Sequence, residues 1–341
     1  MKRAGLIFMA LFSASFIMAQ NTATVTETGD VNTSNVNQVG ITNTATITQI
    51  GDKNDAATSD KYASSLYGVL TGTKGIIQEG ASNTGIISQT NLYGGTVAAG
   101  PTAGIGQTGD GNTARITQAH NSVWMQEYAW AKQTGDGNTS VQNQVSSYAF
   151  SHVYQQGAEQ VDPQNLVGNY AETQQIGGYG QNANIWQVGA KNNAFQSQGI
   201  SNTYTQSNLA EVTQKGNDNT SHQYQNGSSN TSKAIQNSDW NTANLTQNGN
   251  GNGVQVLQKT GIYNVVNLTQ NGGTRADIVQ NGSNNTLMGI GSDIMATSLN
   301  GSILDLDQIG VGNMLQLQQT NRETATVMQN GSTNTVIVIQ N

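Results

Sequence analysis

Asparagine and glutamine recur along this chain at a fixed spacing. Asparagine returns every eleven residues from Asn21 and again from Asn219, and a glutamine follows most of these asparagines by six residues. The repeated unit reads N-x-A-x-[IV]-x-Q-x-G-x-x. The amide positions that define it include Asn32, Asn43, Asn112, Asn219, Asn230, Asn241, Asn252, Gln38, Gln49, Gln118, Gln187, Gln225, Gln236, Gln247, Gln258, Gln319 and Gln340. A short period repeated over most of a chain predicts a stacked-repeat architecture.

Each repeat has the pattern of one strand followed by one tight corner. In the segment from Asn43 to Gln49, Ala45 and Ile47 share a face with both amides, while three threonines occupy the other face. Strict alternation and β-branched residues are typical of a strand. A glycine follows two residues after the glutamine, where it permits a positive φ. These turn glycines are Gly40, Gly51, Gly109, Gly135, Gly189, Gly227 and Gly249.

One such unit cannot bury its own apolar face, so the units must stack. Two units make a coil of roughly 22 residues, and successive coils form parallel sheets about 4.8 Å apart. The sequence therefore predicts an all-β, two-stranded-per-coil parallel β-solenoid with an amyloid-like, cross-β stacking. We expect the inward amides to form ladders from coil to coil, since buried amides need partners. Residues 55–76, 90–100, 119–126, 156–168 and 286–301 depart from the period and are interpreted as lengthened corners or degenerate coils.

The two ends of the sequence differ in character. Lys2 and Arg3, an apolar stretch and a small residue at Ala19 have the pattern of a secretory signal peptide over residues 1–19. We therefore expect a secreted protein whose residues 20–341 form a single repeat domain, with no membrane insertion. The chain has 20 acidic and 13 basic residues, which disfavours binding to nucleic acid. It has no cysteine, which excludes disulfides and thiolate metal sites.

No arrangement of residues indicates catalysis or a cofactor. His120, His152 and His222 are scattered without metal-ligand spacing, and no Ser/His/Asp set or phosphate-binding loop is present. The Gly-Asp corners are similar to those of calcium-binding β-rolls, but the nonapeptide period is absent. We therefore expect no enzyme activity, no cofactor and no metal.

The repeat closely resembles the curlin repeat. The resemblance is carried by Gln107-Thr-Gly-Asp-Gly-Asn-Thr-Ala114 followed by Gln118, and by the matching segments that begin at Gln49, Gln187 and Gln247. It implies a subunit of curli-type functional amyloid that polymerises into extracellular fibres of a biofilm matrix at the bacterial cell surface. It also implies copies of itself, a nucleator subunit and an outer-membrane export pore as partners. Whether the chain is the major subunit or the nucleator stays open.

The last repeat, from Asn334 to Gln340, is uncharged and has no proline. We expect such an edge to be covered by another subunit, which gives fibres that grow end to end. Two alternatives stay open. The Thr-x-Thr pattern at Thr22–Thr26 and Thr44–Thr48 is similar to that of ice-binding solenoids, although Arg115 and Lys233 interrupt it later. A monomeric solenoid that serves as a surface adhesin is the other alternative.

Overall fold

The computed structural model describes residues 20–29, 32–51, 55–56, 59–60, 72–73, 75–91, 101–120, 127–157, 168–199, 207–289 and 295–340. The expected signal peptide at residues 1–19 lies outside the described residues.

The described residues form thirty strands, numbered in chain order. They are β1 (Thr22–Thr28), β2 (Thr33–Ser34), β3 (Val36–Ile41), β4 (Thr44–Ile50), β5 (Asp55–Ala56), β6 (Ser59–Asp60), β7 (Gly72–Thr73), β8 (Gly75–Ala81), β9 (Thr84–Asn91), β10 (Thr102–Thr108), β11 (Thr113–His120), β12 (Tyr128–Thr134), β13 (Thr139–Ser147), β14 (Phe150–Gln156), β15 (Tyr170–Tyr179), β16 (Asn182–Val188), β17 (Asn193–Gly199), β18 (Leu209–Lys215), β19 (Thr220–Asn226), β20 (Thr231–Gln236), β21 (Thr242–Asn248), β22 (Gly253–Thr260), β23 (Val265–Asn271), β24 (Arg275–Asn281), β25 (Thr286–Met288), β26 (Ala296–Leu299), β27 (Ile303–Val311), β28 (Met314–Gln319), β29 (Thr324–Ser332) and β30 (Thr335–Gln340).

All but two of these strands belong to two parallel sheets, between which the chain alternates. We call each position in the stack of a sheet a row; a row holds one strand, or two short strands that lie end to end. Sheet A contains the rows β1, β4, β9, β11, β13, β15, β17, β19, β21, β23, β25 with β26, β28 and β30. Sheet B contains the rows β2 with β3, β5 with β8, β10, β12, β14, β16, β18, β20, β22, β24, β27 and β29. The predicted all-β parallel β-solenoid with two strands per coil is confirmed.

The rows stay in register although the coils differ in length. The expected coil of 22 residues separates Gln225 from Gln247, yet 40 residues separate Gln38 from its ladder neighbour Gln78. The extra residues separate β5 from β8 within one row, and the inward Ala56, Ile76 and Gln78 of that row stay in register with the neighbouring rows. The strands β25 and β26 form a split row, in which they lie end to end between β23 and β28. Asp60 belongs to the small antiparallel pair β6–β7 and not to a row.

The core lies between the two sheets, and its composition changes along the rod. Towards the carboxyl terminus an apolar cluster includes Leu268, Ile278 and Leu306, each at most 1 % exposed. In the middle of the rod the apolar cluster shrinks to Val153, Ala171, Ile185, Ala194 and Val212. None of the described segments is a helix that could span a bilayer.

Candidate assembly interface

One unbroken column of glutamines runs along sheet B. In this column the side-chain Nε2 of each glutamine donates to Oε1 of the glutamine in the next row, at 2.7–2.9 Å. The order of the column is Gln38, Gln78, Gln107, Gln133, Gln155, Gln187, Gln214, Gln236, Gln258, Gln280, Gln308 and Gln329. These side chains are buried except for that of Gln38, at the amino-terminal end of the column. Each burial is therefore accompanied by the hydrogen bonds that a buried amide needs.

The glutamine column of sheet A has one interruption. It runs through Gln49, Gln89, Gln118, Gln144, Gln175, Gln198, Gln225, Gln247 and Gln270 at 2.8–3.0 Å, and resumes with Gln319 and Gln340. Ser298 occupies the slot between Gln270 and Gln319. Its hydroxyl and the Oε1 of Gln319 are both buried and have no hydrogen-bond partner among the described residues. The serine is too short to bridge the row.

Both glutamine columns have the same direction. The donor of each pair is always nearer the amino terminus and the acceptor lies one coil nearer the carboxyl terminus. Where Glu27 precedes Gln49, this donor is missing, because an ionised carboxylate can only accept. The Oε1 of Gln49 correspondingly has no hydrogen-bond partner in the part of the chain that the structure describes.

The second Nε2 proton of most ladder glutamines ties the two sheets together. Gln236 donates to the backbone carbonyl of Thr220 at 3.0 Å, and Gln247 donates to that of Thr231 at 2.9 Å. Each such carbonyl belongs to the first residue of the preceding strand, in the opposite sheet. One amide therefore links a coil to the next coil and one sheet to the other, which favours glutamine in this slot.

The asparagines form columns of a different kind. In sheet A the Oδ1 of each asparagine accepts the backbone N–H of the next, at 2.9–3.2 Å. The members of this column are Asn21, Asn43, Asn83, Asn112, Asn138, Asn169, Asn192, Asn219, Asn241, Asn264, Asn285, Asn313 and Asn334. Among the described residues, sheet B has a short column of Asn208, Asn230 and Asn252, followed by Thr274. The Nδ2 of Asn32, just before β2, donates to the carbonyl of Thr28.

The corner glycines adopt the positive φ that the repeat predicts. Gly40, Gly51, Gly109, Gly135, Gly189, Gly227 and Gly249 have φ between 85° and 121°. Several also lie directly against the next corner. A Cβ on Gly109 would approach the carbonyl oxygen of Gly135 to 2.5 Å, which no side chain tolerates. The same carbonyl accepts a hydrogen bond from Nδ2 of Asn112 at 2.7 Å, so the asparagine slot and the glycine corner fix each other.

The outer faces of the sheets are irregular in composition. On sheet B the rings of Tyr128 and Phe150 stack at 5.2 Å, and those of Trp130 and His152 stack at 5.1 Å. Burial lowers the pKa of His152, although a hydrogen bond to Asn184 partly opposes this. On sheet A the outward threonines of the first two rows are followed by Ile86 and Arg115. The flat Thr-x-Thr surface of an ice-binding solenoid is therefore limited to two rows.

The repeat pattern did not reveal that buried glutamines also replace the apolar residue of the core. Gln142, Gln196 and Gln223 lie in the slot that Ile47 and Leu245 occupy elsewhere, and all three are fully buried. Their Nε2 groups donate to the backbone carbonyls of Trp130, Asn184 and Glu211 in the facing sheet. The signal was present in the sequence as a Gln-x-Gln pair at residues 142–144, 196–198 and 223–225.

Each end of the described solenoid presents two strand edges without a neighbour. At the amino-terminal end these are β1 and the row of β2 with β3, and at the carboxyl-terminal end they are β29 and β30. Val25 is 47 % exposed, whereas Ile47, one row further in the same column, is fully buried. The terminal rows therefore expose both apolar inward side chains and backbone hydrogen-bonding groups.

Comparison of the chain with known protein families and with curated proteins finds no match. The fold itself defines the class, which is a parallel β-solenoid.

Proposed function

We propose that this protein is a secreted structural subunit that assembles end to end into extracellular amyloid-like fibres. The resemblance of its repeat to the curlin repeat supports the further assignment to curli-type fibres that serve biofilm matrix formation and surface adhesion. Under this proposal the partners are other copies of the chain, with a nucleator and an outer-membrane pore for export. Residues 1–19 act as the export signal.

The observation that carries the proposal is the direction of the glutamine columns. At the carboxyl-terminal end, Gln340 and Gln329 have no glutamine beyond them to receive an Nε2 proton. At the amino-terminal end, Gln38 and Glu27 supply side-chain oxygens without a ladder donor before them. A donor end and an acceptor end on one rod are complementary. Stacking copies head to tail continues both columns, whereas stacking like ends would oppose donors to donors.

The backbone supports the same arrangement. Each terminal strand has one edge of unpaired N–H and C=O groups, which is a template for adding another strand. The exposed inward side chains, such as Val25, are covered when a further row is added. Head-to-tail contacts that do not close into a ring produce open filaments. A fibre is therefore the expected product.

Electron microscopy and fibre diffraction of the protein without residues 1–19 test the proposal. We expect fibres with a meridional reflection near 4.8 Å, the spacing of hydrogen-bonded strands. Protein that remains monomeric for days at high concentration would overturn the proposal. Monomers that bind a surface would instead favour the adhesin alternative.

A matched pair of variants tests whether growth uses the terminal edge. Val338 points into the core at the last row, and Ile339 points outward on the same strand. We expect Val338→Lys to stop elongation, since a charge in an inward slot cannot be desolvated without a partner. Ile339→Lys should elongate nearly as the natural protein does. Thioflavin fluorescence measures the elongation rate of each variant on seeds of the natural protein. Equal rates for the two variants would contradict growth through this edge.

A further inference from the structure

The number of rows is odd in the part of the chain that the structure describes. Sheet A has thirteen rows and sheet B has twelve, because both β1 and β30 belong to sheet A. A solenoid with an even number of rows ends on the sheet opposite to the one on which it begins. This one begins and ends on the same sheet, and that difference determines how a second copy can be added.

Consider first a copy added without rotation about the rod axis. Its β1 would pair with β30, which continues sheet A. The next strands of the added copy, β2 and β3, would then lie two strand spacings above β29, because a solenoid rises by half a spacing from one strand to the next. One row would be missing from sheet B, and the edges of β29 and of β2 with β3 would both stay open.

A half-turn about the rod axis removes this gap. Consecutive strands of a coil run in opposite directions on the two sheets, so a half-turn exchanges the sheets and preserves parallel pairing. The β1 of the added copy then pairs with β29, and its β2 and β3 pair with β30. Both edges at the junction are covered and no row is missing.

We propose that consecutive subunits of the fibre are related by an additional half-turn, so that each fibre sheet alternates between sheet A of one copy and sheet B of the next. This inference rests on the proposed function. It names the interface of that function: β29 with β1 of the next copy, and β30 with β2 and β3 of the next copy.

The residues of β29 and β1 that would meet at the junction are alike, position by position. Glu323 to Gln329 reads ETATVMQ, and Asn21 to Glu27 reads NTATVTE. With the register that β27 and β29 use, Ala325 meets Ala23 and Val327 meets Val25 of the next copy. Nε2 of Gln329 then lies opposite the carboxylate of Glu27. A hydrogen bond to an ionised acceptor is stronger than one between neutral amides.

The other junction continues the second column. With Gln340 above Gln319 by the same register, the half-turn places Gln38 of the next copy beyond Gln340. Nε2 of Gln340 is the donor and Oε1 of Gln38 is the acceptor, as in every other pair of the columns. The carboxylate of Glu27, which occupies the first position of the sheet A column within one copy, becomes an acceptor between copies.

Introduced cysteines distinguish the two arrangements, because the chain has no cysteine of its own. The half-turn makes Thr26 of one copy the outward neighbour of Met328, and Asn37 the outward neighbour of Ile339. Stacking without the half-turn makes Thr26 the neighbour of Ile339 instead. Outward neighbours on paired strands have Cα atoms within the separation that a disulfide spans. The two cysteines of one chain lie at opposite ends of the rod and cannot join each other.

We expect fibres of Thr26→Cys with Met328→Cys, and of Asn37→Cys with Ile339→Cys, to yield long covalent chains on oxidation. Fibres of Thr26→Cys with Ile339→Cys should dissolve to monomers under the same non-reducing denaturing conditions. The reverse result would overturn the half-turn while leaving fibre formation intact. Helical reconstruction of fibres of the natural sequence gives a second measurement: rows in each fibre sheet should alternate thirteen and twelve. Sheets built only from A rows or only from B rows would overturn the inference, and absence of fibres would overturn the proposed function with it.

Discussion

The middle of the rod and its carboxyl-terminal part have the same backbone but different cores. From β21 onward the inward slots carry Leu245, Leu268 and Ile278, which pack into one apolar cluster. Between β13 and β19 one sheet instead supplies Gln142, Thr173, Gln196 and Gln223. The glutamine ladder and the corners are common to both regions. The comparison indicates that the ladder and the strand pairing specify the fold, while the core slot varies in polarity when its amides reach backbone carbonyls.

The largest expected effect is on the free energy of unfolding, when one buried isoleucine is truncated in each of the two regions. Ile278 and Ile185 occupy equivalent slots of sheet B, and each is at most 2 % exposed. We expect Ile278→Ala to lower the free energy of unfolding by about 3–5 kcal/mol, since its apolar cluster cannot collapse onto the cavity. Ile185→Ala should cost about 2–3 kcal/mol, because the cavity would have polar walls that can bind water.

Denaturant unfolding followed by circular dichroism measures both variants. The polar groups near Ile185 are Thr173 and Gln196, which occupy the core slots of the strands before and after that of Ile185. The Nε2 of Gln196 donates to the carbonyl of Asn184, and its Oε1 has no hydrogen-bond partner among the described residues. Equal losses for the two variants would mean that the polar core is packed as rigidly as the apolar one.

The second largest effect is expected from repairing the glutamine column at Ser298, which lies in the apolar region. In Ser298→Gln, the new amide can donate to Oε1 of Gln319 and accept from Nε2 of Gln270. Each hydrogen bond stabilises the fold by about 0.5–1.5 kcal/mol, and the buried Oε1 of Gln319 gains a hydrogen-bond partner. We therefore expect the variant to unfold at a higher denaturant concentration. Ser298→Leu, which fills the slot without donating or accepting, is the control and should give no comparable gain.

A smaller effect is expected when the polar core is made apolar. Gln196 donates to Oε1 of Gln223 at 3.2 Å, so the two side chains are partners. Replacing both by leucine removes a polar pair together, which is close to neutral, within about 1 kcal/mol. Replacing only Gln223 leaves one partner behind and should cost more than the double change. A double variant that loses more stability than either single one would show that these amides specify the packing.

The smallest effect is the pH dependence of the middle region. Burial lowers the pKa of His152 below its usual 6.5. The unfolded chain therefore binds a proton at a higher pH than the folded one, and stability falls as the pH decreases through 6.5 towards the lowered value. Above that window the contribution is complete and constant. Urea titrations at pH 7.5 and near pH 5 measure it, and His152→Gln should show a weaker decline.

Much of the fold could be predicted from the eleven-residue period, because a strand's alternation and a glycine corner are local properties. The pattern Asn43 to Gln49 determines which residues face inward, and the structure has Ala45 and Ile47 fully buried. The direction of the ladder could not be predicted, since an amide can donate or accept with equal ease. The interruption at Ser298 could not be assigned either, because β25 and β26 share one row although seven residues separate them in the sequence.

The length of the corners has a consequence for how such a chain can change over generations. Ladder neighbours are separated by 21 residues at the shortest and by 32 where the corner between β14 and β15 is long, and yet they meet at nearly the same distance. Insertions at a corner therefore change the surface of the solenoid without changing the spacing between its rows. Natural variation can thus diversify the surface of the solenoid while the spacing of its rows stays the same.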